Sequence, residues 1–196
     1  MRTANMERNT AETRIALSIN LDGTGNADIA TSVGFLDHML TLFAKHSGCD
    51  LSVQASGDIQ VDAHHLTEDI GIVLGMAIKQ ALGDKRGIRR YGDILLPMDE
   101  VLMMVAVDCS GRPFFVWDVT MPQPKVGEWD SELAEDFFRA LAFNGGLTLH
   151  MRMLSGKNTH HIAEAAFKGC ARALREAFSA DPRETGVPST KGTLAG

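Results

Sequence analysis

A His-His-x-x-Glu pattern occurs twice in the chain, as His64, His65 and Glu68 and again as His160, His161 and Glu164, at an offset of 96 residues. The first histidine and the glutamate are four apart and the second is three apart, so on a helix imidazole and carboxylate share one face. Neutral imidazole with carboxylate is the mixed nitrogen and oxygen donor set of Mn, Fe and Zn, and no cysteine lies near either copy to favour a thiolate site. One copy alone would read as an incidental helix start. Repetition at a fixed offset favours ligation of a divalent metal. The order is neither HExxH nor HxxEH, so peptidase chemistry is not implied. Each half offers one further histidine, His38 in GFLDHML and His150 in LTLHMRM. A histidine among Leu and Met is ordinarily a satisfied core or edge residue. The near-symmetry of two ligand sets argues for including both. His46 has no counterpart, since the matching region holds Phe143 and Asn144, and it reads as a helix-end residue.

The elements that carry these residues repeat as well. Val61–Leu82 and Lys157–Phe178 share an i, i+3, i+4, i+7 apolar series, which predicts two amphipathic helices. Asp62 and Asn158 are the expected N-caps. Leu40–Val53 parallels Phe137–Met151 as helix, Gly-containing break and strand. Thr13–Gly25 parallels Leu102–Pro113 as strand, turn, strand. The expected fold is α+β, with two duplicated halves at 1–92 and 93–182 forming one compact catalytic body. Their boundary falls in the Gly-rich, charged stretch Gly83–Asp93. The stretch 183–196 lacks periodicity and reads as a tail or a loop ordered by a ligand or a partner.

Composition excludes several classes. The 196 residues are 44% hydrophobic and 22% charged, an ordinary globular balance that leaves no room for wholesale disorder. The longest apolar runs, Val101–Val107 and Phe114–Trp117, fall far short of the roughly 20 residues of a spanning helix. MRTANMERNT has no apolar segment behind it and does not read as a secretory signal, so a cytoplasmic location is expected. Cys49, Cys109 and Cys170 are odd in number and far apart, which predicts reduced, buried thiols. A formal charge of -6 argues against nucleic acid as the main partner, and the short apolar runs against a membrane. The charge says nothing about a small anion.

Six segments then point to a family. ERNTAET (Glu7–Thr13), GFLDHMLTLFAKHSG, VDAHHLTEDIGIVLG, SGRP (Ser110–Pro113), SGKNTHHIAEAAFKGCARAL and PSTKG (Pro188–Gly192) resemble, in order, the signatures of imidazoleglycerol-phosphate dehydratase, an enzyme of histidine biosynthesis. The resemblance covers nearly the whole chain. Departures are mild: Ala63 where the family often has Asp, Leu66-Thr67 where it often has Thr-Val, and Cys49 and Cys170 at apolar positions.

The resemblance implies two halves, each a four-stranded sheet with helices on one face, of the ribosomal protein S5 domain 2-like type. It implies a monofunctional hydro-lyase that dehydrates D-erythro-imidazole glycerol phosphate to imidazole acetol phosphate through imidazolate and diazafulvene-like forms of the substrate. It further implies two Mn²⁺ per subunit and a homo-oligomer of 24 subunits. One metal set would be His38, His65, His160 and Glu164, and the other His64, Glu68, His150 and His161. Glu12 and Glu164 would be the acid/base carboxylates, with Glu12 also touching substrate. Arg90, Arg112, Lys168, Ser189 and Lys191 would hold the phosphate. Two rival classes are a metal-binding shell without catalysis and a dinuclear metallohydrolase; the PSTKG and TAET segments favour the dehydratase.

Overall fold

A computed structural model describes residues 1–194. The first half runs β1 (Thr3–Asn9), β2 (Thr13–Asn20), β3 (Ala27–Ala30), α1 (Gly34–Ser47), β4 (Asp50–Gly57) and α2 (His64–Leu82). The second runs β5 (Tyr91–Met98), β6 (Val101–Asp108), β7 (Phe114–Asp118), α3 (Leu133–Gly145), β10 (Thr148–Ser155) and α4 (Thr159–Phe178), with a short β8 (Lys125–Val126) and β9 (Trp129–Asp130) hairpin before α3. The sheets have the same order, β1-β2-β4-β3 and β5-β6-β10-β7. In each, the last strand is the one parallel partner, β3 along β4 and β7 along β10. The duplication read from the helices therefore extends through the whole topology. Only the β8–β9 hairpin lacks a counterpart among the described residues of the first half.

Alternation along the strands decides which face is covered. Ile15, Leu17 and Ile19 on β2, and Val101, Met103, Val105 and Val107 on β6, are buried, and their neighbours in sequence face outward. α2 lies on β1 and β2, and α4 on β5 and β6. The halves then join helix to helix, α2 against α3 and α1 against α4. Close approach at the first pair depends on Gly71 and Gly75. A Cβ at either would stand 2.6 Å from a carbonyl oxygen of α3, that of Phe137 or Leu141. Any larger residue would force these helices apart.

Helix ends explain where the chemistry-bearing side chains fall. Both α1 and α3 stop at a glycine in the left-handed region, Gly48 and Gly146, as the Gly-containing breaks predict. Asn158 caps α4, accepting from the backbone N–H groups of His160 and His161. The expected cap at Asp62 is displaced by one residue. Ala63 holds the cap position of α2, and Asp62 accepts from the N–H of His64 at 2.7 Å.

The outer faces of the two sheets differ in character. The first presents Arg14, Ser18, Ser52, Gln54 and Ser56. The second exposes Tyr91, Leu95, Phe114 and Leu154, each more than half exposed. The three cysteines are free and buried. No helix among the described residues is long and apolar enough to cross a membrane.

Candidate active site

Helix α1 brings His38 to the start of α4. Its Nε2 lies 2.9 Å from Glu164 Oε1, and His160 Nε2 lies 3.3 Å from the same oxygen. These three ligand atoms fall within 4.8 Å of one another, a spacing that fits one divalent ion. The Phe35 ring packs edge-on against His160. Lys168, one turn further along α4, donates to Glu164 Oε2 at 2.5 Å and also approaches Met98 Sδ. Burial alone would push the Glu164 carboxyl up. The Lys168 ammonium and the two imidazoles outweigh that and hold it down at about 2. Glu164 is therefore an anion throughout the neutral range.

The start of α2 is arranged in parallel. His64 Nε2 stands 3.8 Å from Glu68 Oε2, and its Nδ1 stands 3.7 Å from Asp136 Oδ2 on α3. His65 turns the other way, with Nδ1 3.0 Å from Asp58 Oδ2 and 3.8 Å from Glu12 Oε2. Asp58, Glu12 and His65 form a second compact group. The Asp58 hydrogen bond raises the His65 imidazole above its ordinary value. In the second half His161 Nδ1 meets Glu100 Oε2 at 2.9 Å, with Asp99 Oδ2 3.5 Å from Nε2. The Glu100 hydrogen bond raises His161. The reciprocal contact with His161, helped by the backbone N–H of Asn158, pulls the Glu100 carboxyl down to about 2.

Asp58, Asp136 and Glu100 did not stand out in the sequence. Each faces an Nδ1 and leaves Nε2 as the outward donor, the arrangement that orients ligand imidazoles. Glu100 had a usable signal in the hairpin repeat. Asp58 and Asp136 had none, because one lies on a loop and the other comes from a helix of the opposite half.

His150 lies elsewhere. It is on β10, beside Ala106 of β6 and Val116 of β7, on the outer face of the second sheet, where it stacks with Phe114. Within one chain the eight histidines and glutamates thus form a three-residue group, a His64–Glu68 pair and separate positions for His65, His161 and His150. His46 sits at the end of α1, and burial, with Lys168 and Arg172 nearby, lowers its imidazole.

A cationic cleft of about 760 Å³ lies at the far end of β5 and β6, lined by Arg90, Arg112, Glu184, Ser189, Thr190 and Lys191. Arg90 is tied bidentately to Asp108, at 2.7 and 3.1 Å, and donates to the Pro188 carbonyl. It thereby docks the tail as well as lining the cleft. Further tail contacts run from Gly87 N–H to Gly186 O and from the Lys85 ammonium to Leu194 O. The last two residues of the expected 183–196 tail lie outside the described residues.

Comparison with known proteins accords with this architecture. Residues 31–174 match the family model described as imidazoleglycerol-phosphate dehydratase. A dehydratase of that name from Methylorubrum populi is 60% identical over 195 residues, covering 99% of this chain and 100% of the relative. One from Desulforamulus reducens is 60% identical over 193 residues, covering 98% of each. Among solved structures, the Staphylococcus aureus imidazoleglycerol-phosphate dehydratase is 44% identical with a TM-score of 0.84, covering 91% of this chain and 99% of that one. The Pyrococcus furiosus protein is 40% identical with a TM-score of 0.82, covering 96% and 99%. Likeness of this extent sets the class first: a hydro-lyase on a duplicated α+β body. The chain belongs to the imidazoleglycerol-phosphate dehydratase family, and so to the enzymes of histidine biosynthesis.

Proposed function

We propose that the chain dehydrates D-erythro-imidazole glycerol phosphate to imidazole acetol phosphate, with two Mn²⁺ per subunit held by His38, His64, His65, Glu68, His150, His160, His161 and Glu164. The observation that carries this reading is the full-length 60% identity to dehydratases, joined to imidazole and carboxylate groups at both helix starts. The donor set suits such ions, because every ligand is a nitrogen or an anionic oxygen and no thiolate is near. When bound, the ions would supply Lewis acidity to the substrate's imidazole ring.

The chain's own residues perform the remaining tasks. A carboxyl group gives its proton to the hydroxyl on the carbon next to the ring, which departs as water and leaves a diazafulvene-like substrate. A carboxylate then takes the proton from the adjacent carbon, and the enol formed becomes the ketone. Glu12 has the freedom for that transfer, being about half exposed and held at its backbone by Thr10 and Asp58. Glu164, locked by Lys168, keeps its charge and holds a ligand position. Arg112 and Lys191, with Arg90 and Ser189, bind the phosphate, and closure of the tail excludes water.

The site is completed by neighbouring subunits in a homo-oligomer of 24. Arg90 precedes and Asp99 follows the eight-residue β5, which spans about 25 Å at roughly 3.4 Å per residue. That distance exceeds the reach of a three-carbon phosphate ester, so one chain cannot offer its own cleft and its own His161 to the same substrate. His150, on the outer face of the second sheet with the exposed Tyr91, Leu95, Phe114 and Leu154, would act in a neighbour's site. A cytoplasmic location accords with a biosynthetic enzyme of this type. The test is conversion of imidazole glycerol phosphate by Mn²⁺-loaded protein, read as the enolisable ketone; no turnover where a known relative succeeds would overturn the proposal.

A further inference from the structure

The hairpins that open the two halves run in one register. Thr3 pairs with Asn20 as Tyr91 pairs with Asp108, and Asn9 with Arg14 as Pro97 with Leu102, a constant offset of 88 residues. Glu12 and Glu100 are therefore the same position of the repeat, the last turn residue before the second strand. Each faces Nδ1 of the second histidine at the helix start of its own half.

Their surroundings have diverged. Glu12 stands 3.8 Å from His65 Nδ1 with its side chain 54% exposed, while Asp58 occupies that nitrogen at 3.0 Å. Among the described residues of the second half none takes the part of Asp58. Glu100 meets His161 Nδ1 at 2.9 Å, and its other oxygen accepts from the backbone N–H of Asn158 at 2.8 Å and of Lys157 at 3.4 Å. Since Asn158 caps α4, the Glu100 carboxylate ties the hairpin turn to the helix start that carries His160 and His161.

We propose that the duplicated glutamate has divided its work: Glu12 stays free for proton transfer, while Glu100 is a positioning residue that accepts from Nδ1–H of His161 and so presents Nε2 to the metal. The proposal rests on the metal reading given under Proposed function. Its physical basis is general. A carboxylate on one imidazole nitrogen selects the tautomer, fixes the ring plane and makes the other nitrogen a stronger donor.

The experiment compares equilibrium Mn²⁺ binding, by competition with a fluorescent chelator, for the wild-type chain, Glu100→Ala, Glu100→Gln and Glu12→Gln. Circular dichroism of the metal-free proteins checks folding. Glu100→Ala is expected to weaken Mn²⁺ binding by about 10- to 100-fold. Glu100→Gln, which keeps one accepting oxygen, falls between it and wild type. Glu12→Gln binds within about twofold of wild type and loses kcat instead. Wild-type affinity in Glu100→Ala, or equal weakening in Glu12→Gln and Glu100→Ala, overturns the division of work. If Glu100→Ala does not fold, Glu100→Gln decides, and wild-type affinity there overturns it as well. A wild-type chain that takes up no Mn²⁺ overturns the metal reading itself, a different result from any of these.

Discussion

His38 Nε2 on α1 and Glu164 Oε1 on α4 lie 2.9 Å apart although 126 residues separate them in sequence. That contact joins the two halves at the point where the second His-His-x-x-Glu copy begins, and Lys168 holds the other carboxylate oxygen. Replacing Glu164 with Ala leaves a largely buried Lys168 unpaired, at a cost of about 1–3 kcal/mol. The Glu164→Ala variant is expected to melt below wild type when both are metal-free and, once both are loaded, to hold fewer Mn²⁺ per subunit. Calorimetry with elemental analysis checks both, and unchanged metal content would remove Glu164 from the ligand set.

Stability of the metal-free chain should carry a pH signature of the Glu100–His161 pair. The Glu100 carboxyl stands at about 2 against an ordinary 4.5, so its contribution is full above 4.5 and is lost as pH falls towards 2. His161 is raised above 6.5, so its contribution is full below 6.5 and is lost as pH rises through the elevated value. The difference in Tm between wild type and Glu100→Gln is therefore largest between those limits and shrinks on both sides. Thermal melts in EDTA across that range measure it, and a difference independent of pH would contradict the assignment.

The cleft at Arg112 and Lys191 should act on substrate and not on assembly. Arg112→Ala and Lys191→Ala are expected to raise KM by about tenfold or more, as loss of a charge-assisted phosphate contact worth about 1.5–3 kcal/mol requires. The elution volume in size-exclusion chromatography stays that of wild type. A metal-storage protein without catalysis would show no such effect.

Ligands drawn from different chains make the assembly depend on its metal. Treatment with EDTA is expected to shift the protein to smaller species in size-exclusion chromatography, and Mn²⁺ to restore the larger one. An unchanged elution volume after verified metal removal would count against ligation between subunits.

Much of this was legible in the sequence because a duplication writes its pattern twice. The helices α2 and α4, their histidine pairs and the glycine breaks after α1 and α3 all rest on local periodicity and local backbone preference. The cap at Asp62 was off by one, since Asp62 and Ala63 compete for the same helix start and only the backbone decides. Residues that act across the fold left less trace. Asp58 is one of several loop carboxylates, and Asp136 belongs to an amphipathic face whose charges look solvated until α3 meets α2. His38 and His150 looked alike as lone histidines among apolar neighbours. In the fold His38 lies on α1 beside Glu164 and His150 on the outer face of the second sheet, a distinction set by which residues a distant segment meets.

The most direct test is a titration of activity against bound metal on one preparation. Protein stripped with EDTA should not dehydrate imidazole glycerol phosphate, and stepwise Mn²⁺ should restore ketone formation in proportion to metal bound, reaching its plateau at two ions per subunit. Full activity in the verified metal-free protein, or two bound ions with no ketone formed, would contradict the account.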